Sequence, residues 1–374
     1  MLIYIICFGI SIITYIVLSK GRIQKPILEK KNSNYWRVDR VSFAMFFSSL
    51  FPMLVAAFRY NVGTDYFPTY YTGFYRILQN SKADRFEIGY YWLNKVIQLF
   101  TDNVFVLFII TSILFVEITY KAIKNLSINI PFSIILFFVT RYYFIGLNAV
   151  RQFVAMSILL CSMQFIIERK FKKFIICIIC ACMFHYISIL FIPIYFLNEL
   201  RITKRKIVIW SVVDILLFSF SIELIKLIFR GTKYGILLDS FSVAGIGFTV
   251  FTITINFFLM ILAYIGGEKN KDDPKYTLFF NMQVFAFLIT LMLRNIPVIE
   301  RVYWLFSFPI IISLPYFLKY QIKYSKFIKY GILIILVAYM IYDIAILGDH
   351  NVVPYDSIFG KKPIYDSGWL YYTW

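Results

Sequence analysis

Charge is scarce in this chain, and negative charge scarcest: of 374 residues, 20 are Asp or Glu, 38 are Lys or Arg, and two are His. Charged residues make up 16% and hydrophobic ones 60%, with a mean hydropathy of +0.75, which leaves too little polar surface for a soluble domain of this length. There is no D-x-D, no G-x-x-x-x-G-K-[ST] and no H-E-x-x-H, so nothing points to a cytosolic nucleotide donor or a bound metal. Cysteines are few, five in all. Cys161, Cys177, Cys180 and Cys182 lie in apolar segments, and the single C-x-x-C has neither a βαβ context nor a second pair for zinc. No internal repeat or low-complexity tract interrupts the chain. The N-terminal run "MLIYIICFGISIITYIVLSK" lacks a basic n-region and a small-residue cleavage site, and reads as a retained transmembrane helix.

What is present is apolar, aromatic and basic. Phe (41) and Tyr (29) are abundant, as suits side chains lying along lipid and at its interfaces. The net charge of +18 falls mainly in short loops between apolar runs, which is the positive-inside pattern with an added attraction to anionic membrane lipids, and not a nucleic-acid footprint. About 20 apolar residues span a bilayer. Runs of that size occur at 2–18, 41–58, 103–120, 147–167, 207–222, 246–265, 277–293, 302–318 and 330–347, with shorter or interrupted ones at 131–144 and 174–197. The expected fold is an all-α polytopic membrane protein, one integral membrane domain over 1–374, with about 11–12 transmembrane or half-membrane helices. An outer loop over 59–102 is expected to carry an interfacial helix, and 131–167 and 174–197 are expected to be re-entrant or broken.

Basic loops at 20–40, 121–124, 169–173, 201–206, 267–275 and 319–329 place those connections in the cytoplasm and both termini outside. Residues 174–197 then begin and end beside cytoplasmic loops, although 24 residues are too few for two full spans. They are either two half-helices meeting at "FHYIS", with His185 at the apex, or one kinked span. On this topology the unusual polar residues share the outer side. "FRYNVGTDY" carries Arg59 and Asp65, "RYYFIGLNAVRQ" carries Arg141, Asn148, Arg151 and Gln152, and "RNIPVIER" carries Arg294, Glu300 and Arg301. A charged side chain at bilayer depth costs roughly 2.5–3.5 kcal/mol on insertion scales, so each needs a cause. Arg141 or Arg59 could snorkel to headgroups, and Glu300 could pair locally with Arg301. Asn148, Arg151 and Gln152 fall on one face of a starting helix, which should point into the bundle or a cavity. Several arginines around one mouth suggest a multiply charged anion, because the guanidinium fork matches phosphate oxygens. A lipid-linked pyrophosphate fits.

The segments "FRYNVGTDY", "LNAVRQFVA", "RKFKKFIICIICACMFHYISILFIPIYFL", "IERVYWLF" and "NVVPYDSIF", in order across most of the chain, resemble the Wzy-type polysaccharide polymerases and in particular their EpsG-like branch. In that branch a serine often stands directly beside the histidine, whereas here Ser188 is three residues on. The resemblance implies a GT-C-like helical fold without cofactor or metal, in the cytoplasmic membrane of a bacterium, with its active site on the outer side. It implies that undecaprenyl-pyrophosphate-linked repeat units are the donor and acceptor, and that a flippase and a chain-length regulator are partners. Arg59, Arg151, Arg294 and Arg301, with Arg141, are then expected to bind pyrophosphate. Asn148, Gln152 and Glu300 would contact phosphate or sugar, and Asp65 or His185 would be the catalytic base. A glycan ligase using the same donor, a membrane acyltransferase using His185 and Asn148, and an anion transporter are the alternatives.

Overall fold

The computed structural model describes residues 1–20, 39–79, 86–197, 199–228, 245–267, 270, 273–292, 299–319 and 325–363. Among these the protein is all-α, and its only extended pairing is an isolated antiparallel bridge between Arg59 and Ser357. Among the described residues six helices are long and apolar enough to cross a membrane, or eight if each bent pair counts as one span, which makes this an all-α polytopic membrane protein. The described chain divides into two compact units. The first holds 1–161, 179–186 and the chain from 330 on, and the second holds 162–178 and 187–329.

In the first unit, α1 (Leu2–Ser19) packs on α2 (Arg40–Ala57), and α2 packs on α5 (Phe105–Leu126). Small hydroxyl residues let these helices approach and bond: Ser11 Oγ lies 2.9 Å from Ser48 Oγ and 2.8 Å from Tyr120 Oη. Helices α3 (Thr72–Leu78) and α4 (Ile88–Gln98) lie outside the candidate spans, in the stretch expected to be an outer loop. Helix α6 (Ile130–Val139) opens on the Asn129 side chain, which accepts from the Phe132 amide at 3.2 Å. It stops at Thr140. Arg141 takes a left-handed conformation (φ +70°), and α7 (Tyr142–Asn148) leaves at 53° to α6. Helix α8 (Val150–Ile167) follows after Ala149. The polar stretch read in the sequence as an interruption is therefore a break in the backbone itself.

Helix α9 (Phe171–Cys182) ends just before His185, and a 3-10 helix (Tyr186–Phe191) leads into α10 (Ile192–Leu197). The break thus falls within the expected "FHYIS" region. The second unit continues with α11 (Lys204–Ile228), α12 (Ile246–Gly267), α13 (Pro274–Thr290), α14 (Glu300–Ser307) and α15 (Ile310–Lys319). There α13 is central, packing against α10, α11, α12, α14 and α15. Helix α16 (Ser325–Met340) runs on through a π-helical turn (Ile341–Ile346) and completes the last candidate span.

After α16 the C-terminal segment turns back along residues 58–64. The Gly63 amide donates to Asn351 O (3.0 Å), Thr64 N to His350 O (3.1 Å), Tyr60 N to Asp356 O (2.9 Å) and Ile358 N to Phe58 O (2.9 Å). Tyr4 Oη donates to Val352 O at 2.8 Å and fastens this strap to α1. Gly63 has φ +107°, and a Cβ there would stand 3.1 Å from Leu147 O and 3.2 Å from Asn148 Cα. Only glycine allows the 58–66 segment to lie this close to the end of α7.

Candidate active site

The first unit gathers Arg59, Asp65, Arg141, Asn148, Arg151, Gln152 and His185. The second contains Glu300 and Arg301, the first two residues of α14, where the Glu300 carboxylate suits the positive end of the helix. Arg294 lies outside the described residues.

Two of the first unit's residues meet through a third that the sequence reading left aside. Glu87 precedes α4, whose first amides, Gly89 N and Tyr90 N, donate to Met183 O at 2.8 and 3.2 Å. A Cβ on Gly89 would run into Met183, so glycine permits this docking. It brings Glu87 to the 183–185 break. Glu87 Oε1 accepts from His185 Nδ1 at 2.8 Å, and Glu87 Oε2 accepts from Arg151 Nη1. An ionised carboxylate cannot donate, so Nδ1 of His185 carries the proton of this bond, and the ring's second nitrogen is Nε2. That Nε2 is buried and has no hydrogen-bond partner in the protein.

The charge of Arg151 is therefore balanced within the fold, by Glu87 and by the faces of Phe86 (5.0 Å) and Tyr90 (5.7 Å). Burial opposes ionisation of Glu87, but the His185 hydrogen bond and the Arg151 charge outweigh it and hold the carboxyl below its usual value. The Glu87 side chain is 6% exposed, that of Arg151 18% and that of His185 15%, so the carboxylate is the most closed of the three. Tyr70 stands beside Arg151. Burial pushes its hydroxyl up to about 12, against the Arg151 charge and with that of Asp65.

Asn148 anchors a second cluster. Its Oδ1 accepts from the Asp65 amide (2.8 Å) and from Thr64 Oγ1 (3.0 Å), and its Nδ2 faces His350 Nδ1 at 3.1 Å. The backbone donor fixes the orientation of the amide, so His350 Nδ1 must accept and its ring is neutral. Nε2–H then points towards Asp349 Oδ2, 3.5 Å away. Burial lowers the His350 pKa, Asp349 resists the shift and Arg141 reinforces it. Arg141 is ion-paired with Asp343 of the last span, and its guanidinium lies 4.4 Å from the Tyr339 ring. Gln152 is buried at the start of α8.

Arg59 stands apart. It is 1% exposed, donates from Nη1 to Ala56 O and to Ser112 Oγ (3.0 Å), and lies 4.9 Å from the Phe108 ring, with no carboxylate partner among the described residues. Burial pulls its pKa below the usual guanidinium value, against the pull of neighbouring tyrosines.

Sequence reading missed Glu87 as a site residue, and with it Asp343, Asp349 and His350. One signal was there to use: Asp343 is the single charge in the run 330–347, so the rule that singled out Arg151 singles it out too. Among the described residues no group of three His, Cys, Asp or Glu side chains could hold a metal ion.

Fold and site together define a multi-pass membrane protein with a carboxylate shared by a histidine and an arginine at a helix break. A family model described as EpsG family matches residues 42–357, and the chain belongs to the EpsG family. That membership supports a role in polysaccharide biosynthesis of the polymerase kind. No curated protein and no solved structure matches the chain.

Proposed function

We propose that this protein is a metal-independent glycosyltransferase that polymerises undecaprenyl-pyrophosphate-linked oligosaccharide units on the outer face of a bacterial cytoplasmic membrane. A hydroxyl of the incoming unit's terminal sugar attacks the anomeric carbon of the growing chain. The new glycosidic C–O bond forms as the C–O bond to pyrophosphate breaks, and the lipid pyrophosphate leaves with the bonding electrons. His185 Nε2 takes the proton from the attacking hydroxyl, and Arg151 stabilises the charge that grows on the pyrophosphate.

The observation that carries this reading is Glu87, shared between His185 and Arg151. It fixes the His185 tautomer that a base requires, as an orienting carboxylate does in other acid–base sites. It also keeps Arg151 charged and placed until a stronger anion arrives. When the pyrophosphate takes the Arg151 fork, Glu87 is left with His185 alone and still holds the ring by Nδ1–H. Donor binding and the orientation of the base are linked in this way. Asp65 is the alternative base. Its amide is anchored on Asn148 Oδ1 at 2.8 Å, which sets its place. Asn148 and Gln152 serve sugar or phosphate. Arg59 and Arg141 act by holding the two helix ends that frame the site.

The test is to incubate purified protein with lipid-linked repeat units alone. A ladder of glycans on the lipid supports polymerisation. Transfer only to an added lipid or protein acceptor identifies a ligase, and no transfer in any format removes the enzymatic reading.

A further inference from the structure

A cavity of about 240 Å3 lies in the second unit, against the C-terminal end of α12 and the N-terminal half of α13. Ile202, Tyr264 and Phe280 supply apolar wall, and Arg201, Thr277 and Asn281 supply polar atoms. Two of these could meet one ligand in complementary senses. Asn281 is 1% exposed and gives its Nδ2 protons to Leu197 O (2.7 Å) and Leu200 O (2.9 Å), which fixes the amide, yet its buried Oδ1 has no partner. The Arg201 guanidinium is exposed and makes no ion pair among the described residues. A buried acceptor without a donor is costly and calls for one. An unpaired guanidinium calls for an anion with two oxygens.

One small ligand class supplies both: a phosphate ester with a hydroxyl or ammonium donor beyond the phosphate. The position of the cavity favours a lipid as its source. Helix α12 is long and apolar enough to cross a membrane, so its end at Gly267 falls at headgroup depth, and its negative pole suits a donor there. Lys204, whose Nζ sits 5.0 Å from the Tyr264 ring, adds a second cation on the same side. We infer that this cavity binds a phospholipid headgroup, its phosphate on Arg201 and its terminal hydroxyl or ammonium donating to Asn281 Oδ1.

Thermal unfolding of the full-length protein in neutral detergent tests this with short-chain phosphatidylethanolamine, phosphatidylglycerol and phosphatidylcholine. The first two should raise the midpoint. Phosphatidylcholine has the same phosphate but a quaternary ammonium with no proton to donate, and should do little. Arg201→Gln should weaken binding about tenfold or more, the worth of a charged hydrogen bond. Thr277→Leu should abolish binding by filling the cavity. Arg201 is a surface side chain, so its variant remains informative should Thr277→Leu not fold. Binding of soluble phosphoethanolamine as well would show that the headgroup suffices, and binding of the lipid alone would place its acyl chain on Tyr264 and Phe280; both uphold the inference. Equal stabilisation by all three lipids, or undiminished binding by Arg201→Gln, overturns it.

Discussion

Arg59 and Arg151 look alike in the sequence: each follows an apolar helix or opens one, and each demands a reason for its burial. The structure answers them differently. Arg59 is sealed, spending Nη1 on a backbone carbonyl and a serine in α5 and lying over Phe108. Arg151 is held by a single carboxylate that histidine also claims, and keeps an exposed edge. A buried cation answered by backbone and rings is part of the fold. One answered by a shared carboxylate can change partner. Arg141, closed against Asp343 and Tyr339, belongs with Arg59 in this comparison.

The largest effect should come from the closed kind. Arg141→Ala strands the Asp343 carboxylate and should cost about 3–5 kcal/mol of stability, read as thermal unfolding in detergent. The double variant Arg141→Met with Asp343→Leu should recover most of it, because a buried pair replaced by apolar groups of similar volume is close to neutral. If the double variant is as unstable as the single, the pair is not the reason Arg141 is buried.

At the open site the loss should appear in rate. His185→Ala should slow chain extension by about 10²–10⁴-fold, the worth of a positioned base. Glu87→Gln should slow it by about 10–100-fold, as expected of a residue that orients another. Both should stay folded, measured by the same unfolding assay. An effect of Glu87→Gln as large as that of His185→Ala would make the carboxylate itself the base.

The helices were legible because apolar runs of spanning length are a direct physical requirement, although the expected run 302–318 is two helices, α14 and α15, bent by 47°. The breaks at Arg141 and near His185 were legible because polar residues interrupt those runs. What could not be read was pairing over distance. Glu87 and His185 are 98 positions apart, Asn148 and His350 are 202, and no local pattern reports such contacts. Glu87 lies within the 59–102 stretch just before α4, and its meaning comes only from α4 docking on Met183. The compensation expected from a bound pyrophosphate is already present as Glu87 and Asp343, so a ligand would exchange with these charges and not fill a void.

The smallest effect concerns the strap. His350 is neutral, with its folded pKa below the ordinary 6.5, so the unfolded chain binds the proton first as pH falls. Stability should therefore decline as pH drops below about 6.5 towards the lowered value, and His350→Gln should flatten that slope. Glu87, with its pKa lowered, adds stability that is complete above 4.5 and is lost only as pH falls through its lowered value, so the two windows separate. A slope unchanged in His350→Gln would show that the ring is not buried neutral.

Chain extension by purified Arg151→Lys and Arg151→Ala, from lipid-linked units and beside wild type, tests the central claim most directly. If Arg151 trades Glu87 for pyrophosphate, both variants fold and both extend about 10²–10³-fold more slowly, since a lysine keeps the charge but not the fork. Wild-type rates and chain lengths from either variant would contradict the account.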